Sequence, residues 1–471
     1  MGQDNLQDLG LLTDLYELTM AQTYFERGMG EQATFSLIIR SYPANRGYFV
    51  SAGLQDVLAY LEGLRFSQSD LKYLESTGIF SPRFLDFLGG VRFTGDVWAI
   101  PEGRLFFANE PILEVTAPII QAQIVESFII NQVNLQSIIA TKASRCVWAS
   151  RGREVVDFSL RRTHGADAGM KVARSSYIAG ASSTSNVLAA KTYSIPPAGT
   201  MAHSLVTCFP REIDAFRAYV ESFPDRSVLL VDTYDTIAGA QKAAVVGKEL
   251  EALGHRLQGV RLDSGDLGEL SRQVRRLLDD AGLGYVRIVG SGGLDEMDVQ
   301  ELVDGGAPID SFGIGTTLGV SADAPWTDMA YKLVRYGERP VIKLSAGKES
   351  QPDPKQVYRT RDGDGIFAGD IIALRDEQVA EGDPLLEKVM DSGRSLEPQP
   401  SLDEIRGRFT HEFAHLGEEH KDLHAPVPYN VSFSPALQAL YSTLEREIGS
   451  SQGETGPGGG TNNAQTTEDV R

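Results

Sequence analysis

A single histidine lies in a short connection between two apolar segments, where packing alone gives no reason for it. His203 stands within Gly199-Thr200-Met201-Ala202-His203-Ser204-Leu205, downstream of a proline pair. An imidazole titrates near neutral pH and serves many enzymes as acid, base or nucleophile. Most histidines of soluble proteins are ordinary surface or interior residues, so the rest of the chain has to support a catalytic role for His203.

The elements that must position such a group form a repeated strand and helix pattern in the middle of the chain. Short runs rich in β-branched residues, each ending in or beside Asp, Ser or Gly, occupy 153–158, 227–232, 259–263, 285–291 and 309–315. Segments with helical periodicity lie between them, for example 236–254 and 267–282. This alternation predicts a parallel sheet in an α/β barrel or a doubly wound fold.

Polar residues and glycines follow these predicted strands, at the edge where parallel α/β folds bind ligands. The set comprises Asp157-Phe158, Asp232, Asp235, Arg261, Asp263, Ser291, Gly292, Gly293, Gly313, Gly315 and Thr316. Backbone N–H groups at such glycine turns can approach a phosphate at the start of a helix. The same turns also suit tight strand-to-helix connections, so the glycine motifs alone leave both interpretations open.

Basic residues gather around the predicted strand 153–158. They are Arg145, Arg151, Arg153, Arg161, Arg162, Lys171 and Arg174. For most of them we expect a solvated basic face paired with neighbouring acids. Arg161 and Arg162 differ because they follow the strand directly. Arginines and aspartates at one sheet edge suit a phosphorylated sugar, since cations hold phosphates while carboxylates bind ribose hydroxyls or Mg²⁺.

Composition excludes several classes of function. The formal net charge of -20 argues against nucleic-acid or anionic-membrane binding, because both need a basic face. Cys146 and Cys208 are the only cysteines, too few for a disulfide framework or a zinc knuckle. The sequence has no membrane-length apolar run, and its start has no basic, signal-like segment. We therefore expect a cytoplasmic protein.

The flanks predict further domains. Residues 30–118 mix short strands with two helical stretches, which indicates an α+β layer, and we assign 1–120 to an N-terminal α+β domain. A long helix over roughly 120–150 leads into a barrel domain at 121–330. A hairpin at 329–347 begins the C-terminal part, 331–449. The final stretch, 450–471, has almost no apolar residues and is expected to be disordered.

One further motif suggests different chemistry. The segment His411-Glu412-Phe413-Ala414-His415 fits the H-E-x-x-H pattern of zinc-dependent hydrolases, in which two imidazoles bind zinc and the glutamate acts as base. The glycine that follows in metzincins is replaced by Glu418. Because the surrounding segment is strongly polar, we favour a solvated helix with chance spacing over a zinc site.

Six segments together resemble nicotinate phosphoribosyltransferases. They are LLTDLYELTMAQTYF (11–25), VVDFSLRRTHG (155–165), SSTSNVLAA (182–190), PPAGTMAHSLV (196–206), VRLDSGDL (260–267) and FGIGTTL (312–318). The resemblance runs in order from the first helix to about 345 and more loosely to about 445. The tail after 450 lies outside it.

The resemblance implies an irregular α/β barrel of the type II phosphoribosyltransferases, with an α+β domain built from both flanks. The C-terminal part would pack back on the N-terminal domain. It also implies a homodimer with active sites shared between subunits. The family joins nicotinate to 5-phosphoribosyl 1-diphosphate, giving nicotinate mononucleotide and diphosphate for NAD biosynthesis, with ATP hydrolysis coupled to synthesis and Mg²⁺ as a cofactor.

The resemblance also assigns roles to residues. His203 matches the histidine that ATP phosphorylates, and Thr316 matches a contact to phosphoribosyl diphosphate, a ligand for which we also expect Arg161 and the glycines of the strand ends. The residues expected at nicotinate are Tyr16 from the neighbouring subunit, Phe158, Ser185, Thr200 and Arg261. Tyr16 and Phe158 also fit core aromatics. Asp232, Asp235 and Asp263 are expected to hold Mg²⁺ or the cationic ribose, without a ranking among them.

Two alternatives remain open at this point. An enzyme of the same fold would act on nicotinamide or quinolinate; the nicotinamide relative has an Asp where this chain has Ser185, which favours nicotinate here. A sugar-phosphate sensor without activity would keep the glycines but could lose His203 and the aspartates, and this chain has kept them.

Overall fold

The computed structural model describes residues 9–380, 382–396 and 398–453. Its N-terminal elements are α1 (Leu15–Glu26), β1 (Gln32–Ile39), β2 (Phe49–Val50), α2 (Leu54–Gly63), α3 (Gln68–Ser76), α4 (Pro82–Gly89), β3 (Asp96–Ala99), β4 (Leu105–Phe106) and β5 (Pro111–Pro118). Three helices therefore stand where the sequence indicated two helical stretches. Ser67 and Ser81 accept hydrogen bonds from Asp70 N and Phe84 N, and so cap α3 and α4, the two shortest of these helices.

The central elements alternate as the sequence predicts. They are α5 (Ile119–Gln123), α6 (Glu126–Ala149), β6 (Glu154–Asp157), α7 (Ala166–Ile178), β7 (Ser183–Thr184), α8 (Val187–Tyr193), α9 (His203–Thr207), α10 (Glu212–Ser222), β8 (Val228–Leu230), α11 (Thr236–Ala252), β9 (Gly259–Leu262), α12 (Leu267–Asp280), β10 (Arg287–Gly290), α13 (Glu296–Asp304), β11 (Ser311–Ile314) and α14 (Thr316–Gly319). Two helices, α5 and α6, occupy the range 120–150, where the sequence predicted a single helix. They are separated by a turn at the buried residues Ile124-Val125.

The C-terminal elements begin with the expected hairpin. They are β12 (Met329–Tyr336), β13 (Arg339–Pro340), β14 (Lys355–Arg361), β15 (Phe367–Leu374), β16 (Asp383–Pro384), β17 (Glu387–Asp391), β18 (Arg394–Ser395), α15 (Leu402–Ala414), β19 (Val431–Phe433) and α16 (Pro435–Gly453). Because α16 continues to Gly453, the expectation of disorder from 450 is wrong for 450–453. The rest of that tail, 454–471, lies outside the described residues.

A six-stranded parallel sheet forms the centre, in the order β7-β6-β11-β10-β9-β8. All its neighbouring strands run parallel, and the fully buried side chains of Val260, Leu262, Ile288, Phe312 and Ile314 fill its core. Buried parallel strands need apolar residues on both faces, which is why these segments read as short apolar runs. The predicted α/β barrel of the type II phosphoribosyltransferases is confirmed, with this sheet as a half barrel.

The flanks meet in a seven-stranded sheet, ordered β13-β12-β1-β5-β3-β17-β18. The N-terminal strands β1, β5 and β3 therefore lie in the centre of one hydrogen-bonded layer with C-terminal strands at both edges. A four-stranded sheet of C-terminal strands, β16-β14-β15-β19, lies next to it. This agrees with an α+β domain built from both flanks. The boundaries at 120, 330 and 449 stay a prediction. None of the helices in the described part is long and apolar enough to cross a membrane.

Three of the seven basic residues around β6 are buried rather than solvated. Arg145, Lys171 and Arg174 are each less than 5% exposed. They pair with acids from distant parts of the chain: Arg145 with Glu296 at 2.9 Å, Lys171 with Asp56 at 2.5 Å and Arg174 with Glu102 at 2.6 Å. The expectation of a solvated basic face is wrong for these residues, because the sequence does not show which acids approach them.

The H-E-x-x-H segment has a structural explanation. Glu412 is 2% exposed and accepts a hydrogen bond from Arg359 Nη1 at 2.6 Å. His415 ends α15 and its Nδ1 lies 2.7 Å from the carbonyl oxygen of His411. In the described residues, no group of three or more His, Cys, Asp or Glu side chains could hold a metal. Glu412 therefore has a structural role in a buried ion pair, and the helix is only partly solvated.

A buried carboxyl pair lies in the same region. Glu110 is fully buried, and its Oε2 accepts a hydrogen bond from Phe107 N at 2.9 Å. Burial, followed by the charge of Asp370, raises the pKa of Glu110 well above its usual range. Asp370 is engaged by Arg359, with 2.7 Å between Nη2 and Oδ2. Glu110 therefore keeps its proton in the folded state at pH values where it would lose it in the unfolded chain.

Glu110→Gln is expected to stabilise the fold more at pH 8 than at pH 5. The unfolded glutamate ionises near pH 4.3 while the folded one does not, so the stability of the parent chain falls as pH rises between its unfolded and folded pKa values. Glutamine mimics the protonated side chain and removes that loss. Thermal unfolding at both pH values measures the difference in Tm, with the exposed Glu75→Gln as control. An equal difference at both pH values would contradict the shifted pKa.

Candidate active site

Arg261 stands at the centre of a cluster on the carboxyl edge of the parallel sheet. It lies in β9, and its Nε donates to Ser291 Oγ at 2.8 Å. Nη1 donates to Thr200 Oγ1 at 2.9 Å and to the Met201 carbonyl at 3.3 Å. Nη2 donates to Asp263 Oδ1 at 2.7 Å. Four hydrogen bonds fix the plane of a guanidinium group whose side chain is 11% exposed.

Asp263 is held in its ionised form. Burial would raise the pKa of this carboxyl, but hydrogen bonds from Arg261 and Ser291, with the charges of Arg261 and His203, lower it below its usual range. Its Oδ2 lies 3.8 Å from His203 Nε2. Asp263 therefore links the guanidinium to the imidazole and carries a negative charge at neutral pH.

His203 is the first residue of the short helix α9 and is accessible. Its side chain is 44% exposed. Nδ1 lies 3.1 Å from Thr233 Oγ1, and Nε2 faces Asp263. The connection before α9 lets the histidine reach the strand ends of both β8 and β9. The imidazole is thus oriented through both nitrogens while its edge stays open to a ligand.

Phe158 offers an aromatic face to this cluster. Its ring centroid lies 5.6 Å from Cζ of Arg261. The ring packs against Gly313, where a Cβ would come within 2.5 Å of the ring carbons, so only glycine fits there. Asp157 fixes the turn: its Oδ1 accepts from Ser159 N at 2.9 Å and its Oδ2 from Thr184 Oγ1 at 2.7 Å. β6 thereby presents Phe158 beside a cation.

The two other aspartates have different surroundings. Asp232 Oδ2 accepts from Asp263 N at 3.1 Å and Ser264 Oγ at 2.5 Å. Its Oδ1 is buried and has no hydrogen-bond partner among the described residues. Asp235 instead caps α11 by accepting from Ala238 N at 2.7 Å. Asp232 thus presents to the site a carboxylate oxygen without a hydrogen-bond partner among the described residues, whereas Asp235 stabilises the start of α11.

The glycine turns line the same edge. Gly292 has a φ of +104°, and a Cβ there would come within 1.9 Å of the Asp263 carbonyl oxygen, so the turn depends on glycine. A Cβ at Gly293 would meet open space. Gly315 precedes the single turn α14, whose first residue, Thr316, is exposed. Gly292 and Gly313 thus serve close packing, while Gly293, Gly315 and Thr316 remain open to a ligand.

Three predicted residues lie at the margin of this cluster or away from it. Arg161 is exposed in the single 3-10 turn Leu160–Arg162. Ser185 follows β7, and its backbone N–H donates to the Asp157 carbonyl at 2.9 Å. Tyr16 is on α1, 46% exposed, and burial, with the charges of Glu126 and Glu17, raises its pKa well above the usual range. Its charged neighbours within this chain thus include Glu17 on α1 and Glu126 at the start of α6.

Sequence reasoning missed the groups that support this cluster. Thr233 and Thr184 were not among the candidates, and Ser291 was noted only as a strand end. Their hydroxyls hold His203, Asp157 and the Arg261–Asp263 pair, respectively. Hydroxyl residues directly after β-strands are a usable signal, but a serine or threonine there is too common to be selected without coordinates.

The sheet, its flanking layer and the arginine, aspartate and histidine at its carboxyl edge define a type II phosphoribosyltransferase, and the chain is an enzyme of this class. Family models of the nicotinate phosphoribosyltransferase N-terminal domain, the nicotinate phosphoribosyltransferase family and its C-terminal domain match residues 11–134, 153–344 and 379–441. The chain belongs to the nicotinate phosphoribosyltransferase family.

Individual relatives agree over most of their length. A nicotinate phosphoribosyltransferase of Mycobacterium tuberculosis is 51% identical over 399 residues, which cover 84% of this chain and 85% of the relative. That of Bacillus subtilis is 38% identical over 459 residues, covering 90% and 93%. The crystal structure of human nicotinic acid phosphoribosyltransferase has a TM-score of 0.83 at 29% identity, covering 92% of this chain and 99% of the human chain.

Proposed function

We propose that this chain joins nicotinate to 5-phosphoribosyl 1-diphosphate, forming nicotinate mononucleotide and diphosphate with coupled ATP hydrolysis, in cytoplasmic NAD salvage. The observation that carries the proposal is the group of Phe158, Arg261 and Thr200. An aromatic ring beside a guanidinium group and a hydroxyl suits a small aromatic carboxylate.

The hydrogen bonds of Arg261 define how the carboxylate binds. A guanidinium group has five N–H donors, of which four are engaged within the protein. One Nη2 N–H is left for the ligand. The Thr200 hydroxyl, which donates only a long hydrogen bond of 3.3 Å to the Met201 carbonyl, would turn to the ligand as the second donor. The pyridine carboxylate would accept from these two donors while its ring stacks on Phe158. Ser185 adds no charge that would repel it.

The phosphoribosyl group is assigned to the open turns of the same edge. Gly293, Gly315 and Thr316 offer backbone N–H groups and a hydroxyl to phosphate oxygens, and Arg161 offers an exposed cation. Asp232 Oδ1, buried and without a partner among the described residues, suits a ribose hydroxyl or a cation. The sugar would then lie between the phosphate turns and the pyridine.

The carboxylates also fit Mg²⁺. A hard cation prefers oxygen ligands and is often bound by one or two carboxylates together with substrate phosphates. Asp232 and Asp263 would provide those carboxylates, while Asp235 uses its Oδ1 to cap α11. When bound, Mg²⁺ offsets the charge of the departing diphosphate.

The chemistry then requires positioning more than proton transfer. The lone pair of the pyridine nitrogen forms a bond to ribose C1 while the bond from C1 to the diphosphate oxygen breaks, and its electrons leave with diphosphate. No proton moves, since the nitrogen carries none. Asp232 or Asp263 stabilises the transient positive charge on the sugar. Phe158 and Arg261 hold the nitrogen in line for attack.

His203 is the group through which ATP acts. Its exposed imidazole attacks the γ-phosphorus of ATP, ADP leaves, and water later releases the phosphate from the nitrogen. A phosphate there adds negative charge within reach of Thr233 and Asp263 and changes the affinity of the site for the sugar diphosphate.

The active form would be a homodimer with shared sites. Large apolar side chains are exposed both around α1 and beside the sheet edge: Leu12, Leu15 and Tyr16 on one side, and Leu160, Val187 and Leu188 on the other. Apolar patches of this kind mark interaction surfaces. We assign them to each other in a twofold dimer, so that Tyr16 of one subunit covers the pyridine in the next.

Mixed dimers test the shared site. At nicotinate concentrations well below the wild-type KM, Tyr16→Ala and Arg261→Ala are each expected to be nearly inactive. Subunit exchange between them should restore about a quarter of wild-type activity, since half of the dimers are hybrids with one intact site each. Native mass spectrometry follows the exchange, and each variant incubated alone is the control. Proven exchange without recovery would place Tyr16 in its own subunit's site or in a structural role.

The proposed activity itself is tested by product analysis. Purified protein with nicotinate, 5-phosphoribosyl 1-diphosphate and Mg²⁺ should form nicotinate mononucleotide, identified by mass, and added ATP should increase the yield. A preparation purified in the same way from host cells that do not express the protein controls for contaminating enzymes. Absence of product with and without ATP, from protein shown to be folded, would overturn the proposal.

A further inference from the structure

Ser291 lies at the carboxyl end of β10, between the two charged groups of the site. It is 2% exposed. Its Oγ accepts a hydrogen bond from Arg261 Nε at 2.8 Å and donates one to Asp263 Oδ1 at 2.5 Å. One buried hydroxyl therefore contacts both members of the Arg261–Asp263 ion pair.

These two contacts define the direction of each hydrogen bond. A serine hydroxyl has one hydrogen and two acceptor lone pairs. Arginine can only donate and an ionised aspartate can only accept, so the hydrogen of Ser291 points to Asp263 and a lone pair points to Arg261. The Leu262 carbonyl, 3.3 Å from Oγ, is the weaker competitor for that hydrogen. The hydroxyl thereby fixes the rotation of the guanidinium plane, because Nε and Nη2 are held at once.

We propose that Ser291 is a positioning residue for nicotinate, which keeps the free N–H of Arg261 Nη2 and the Thr200 hydroxyl facing the pyridine carboxylate. The proposal rests on the proposed function, in which Arg261 binds that carboxylate. Without the hydroxyl, Nε loses its acceptor, and three hydrogen bonds through Nη1 and Nη2, instead of four, hold the guanidinium plane, so that it can tilt away from the pyridine carboxylate. Fewer bound complexes would then have the nitrogen in line with the ribose.

The backbone separates this role from a purely structural one. The Ser291 N–H donates to the Leu262 carbonyl at 2.9 Å, and Gly292 lies directly on the Asp263 carbonyl. Neither contact involves the serine side chain. The turn that leads to the phosphate-binding glycines should therefore keep its shape when the hydroxyl is removed.

Ser291→Ala is expected to raise the KM for nicotinate about tenfold, since a hydrogen bond to a charged group contributes on that order. The KM for 5-phosphoribosyl 1-diphosphate should change less than about twofold, because the backbone of the turn is retained. The matched control is Ser227→Ala, at the other end of the sheet. That serine is also buried, and its hydroxyl bonds only the Phe223 carbonyl, at 2.5 Å.

A double-mutant cycle isolates the contact. Lysine lacks Nε–H donation, so in the Arg261→Lys background Ser291→Ala should raise the nicotinate KM no further. Thermal unfolding of every variant monitors the fold. A loss of the same size in both backgrounds, equal increases in both KM values, or an effect matched by Ser227→Ala would each overturn the positioning role.

The outcome with Arg261→Ala separates this inference from the proposed function. If Arg261→Ala raises the nicotinate KM strongly while Ser291→Ala does not, the positioning role of Ser291 is wrong and the proposed function stands. If Arg261→Ala leaves that KM unchanged, the assignment of Arg261 to nicotinate fails, and the inference on Ser291 fails with it.

Discussion

Arg261→Ala is expected to raise the KM for nicotinate about tenfold to a hundredfold, because a hydrogen bond from an arginine to a buried carboxylate contributes about 1.5 to 3 kcal/mol. The loss also has a structural component. Arg261 donates to Ser291, Thr200 and Asp263, and its removal leaves these groups without their donor. The KM for 5-phosphoribosyl 1-diphosphate should rise far less, since the open glycine turns do not depend on the guanidinium group.

Steady-state kinetics with each substrate varied in turn measures the KM for nicotinate and the KM for 5-phosphoribosyl 1-diphosphate separately. Arg261→Lys keeps the charge but not the planar set of donors, and is expected to fall between wild type and the alanine variant. The matched control is Arg272→Ala, because Arg272 is another barrel arginine that donates to a backbone carbonyl, that of Gly305, at 2.6 Å. Equal increases in both KM values for Arg261→Ala would show a structural arginine instead.

His203→Ala is expected to abolish ATP hydrolysis and the stimulation of synthesis by ATP, while slow formation of nicotinate mononucleotide persists at high substrate. The pyridine nitrogen attacks without giving up a proton, so the basal reaction needs no imidazole. His203 lies at the edge of the cluster, 3.8 Å from Asp263, and its loss leaves the bonds of Arg261 in place. The expected effect is thus confined to ATP coupling.

Incubation with γ-labelled ATP tests directly whether His203 is phosphorylated. Wild-type protein should carry a label that is stable in base and labile in acid, as expected of a phosphohistidine, and the His203→Ala variant should carry none. His164→Ala is the matched control, since His164 is an exposed histidine on another loop of the barrel. ATP hydrolysis by the His203→Ala variant in step with product formation would contradict the assignment.

The sequence predicted the sheet and its binding edge because both depend on local pattern. β-Branched runs followed by Asp, Ser or Gly became β6, β8, β9, β10 and β11, and Arg261, Asp263 and Phe158 came together because parallel strands share one carboxyl edge. The connection before α9 brought His203 to the same place. The apolar periodicity and the positions of the strand ends were sufficient to predict that these residues lie together.

The errors arose where a partner lies far away in the chain. Arg145 and Glu296 are 151 residues apart, and Arg359 and Glu412 are 53 apart. A charged residue looks the same in the sequence whether it forms a buried ion pair or faces solvent. The basic residues near β6 and the polar segment at 411–415 were therefore assigned to solvent. The break between α5 and α6 at Ile124-Val125 was also missed, since the helical periodicity of the sequence continues through it.

The contribution of Tyr16 is a different case. Its ring is exposed and its neighbours within the chain are Glu126 and Glu17, so one copy of the chain gives it no contact with Arg261 or Phe158 among the described interactions. A residue that acts across a subunit interface leaves no signal in the periodicity or packing of its own chain. Only the mixed-dimer experiment decides its place.

The most direct test of the central claim is a comparison of kcat/KM for nicotinate, nicotinamide and quinolinate with the same purified protein. All three are pyridines, but nicotinamide lacks the carboxylate that Arg261 and Thr200 would bind, and quinolinate adds a second carboxylate beside the ring nitrogen, near Asp263. We predict that nicotinate is preferred over both by at least about a hundredfold, as loss of one carboxylate hydrogen-bond pair would give. Equal or faster turnover of nicotinamide or quinolinate would contradict the account.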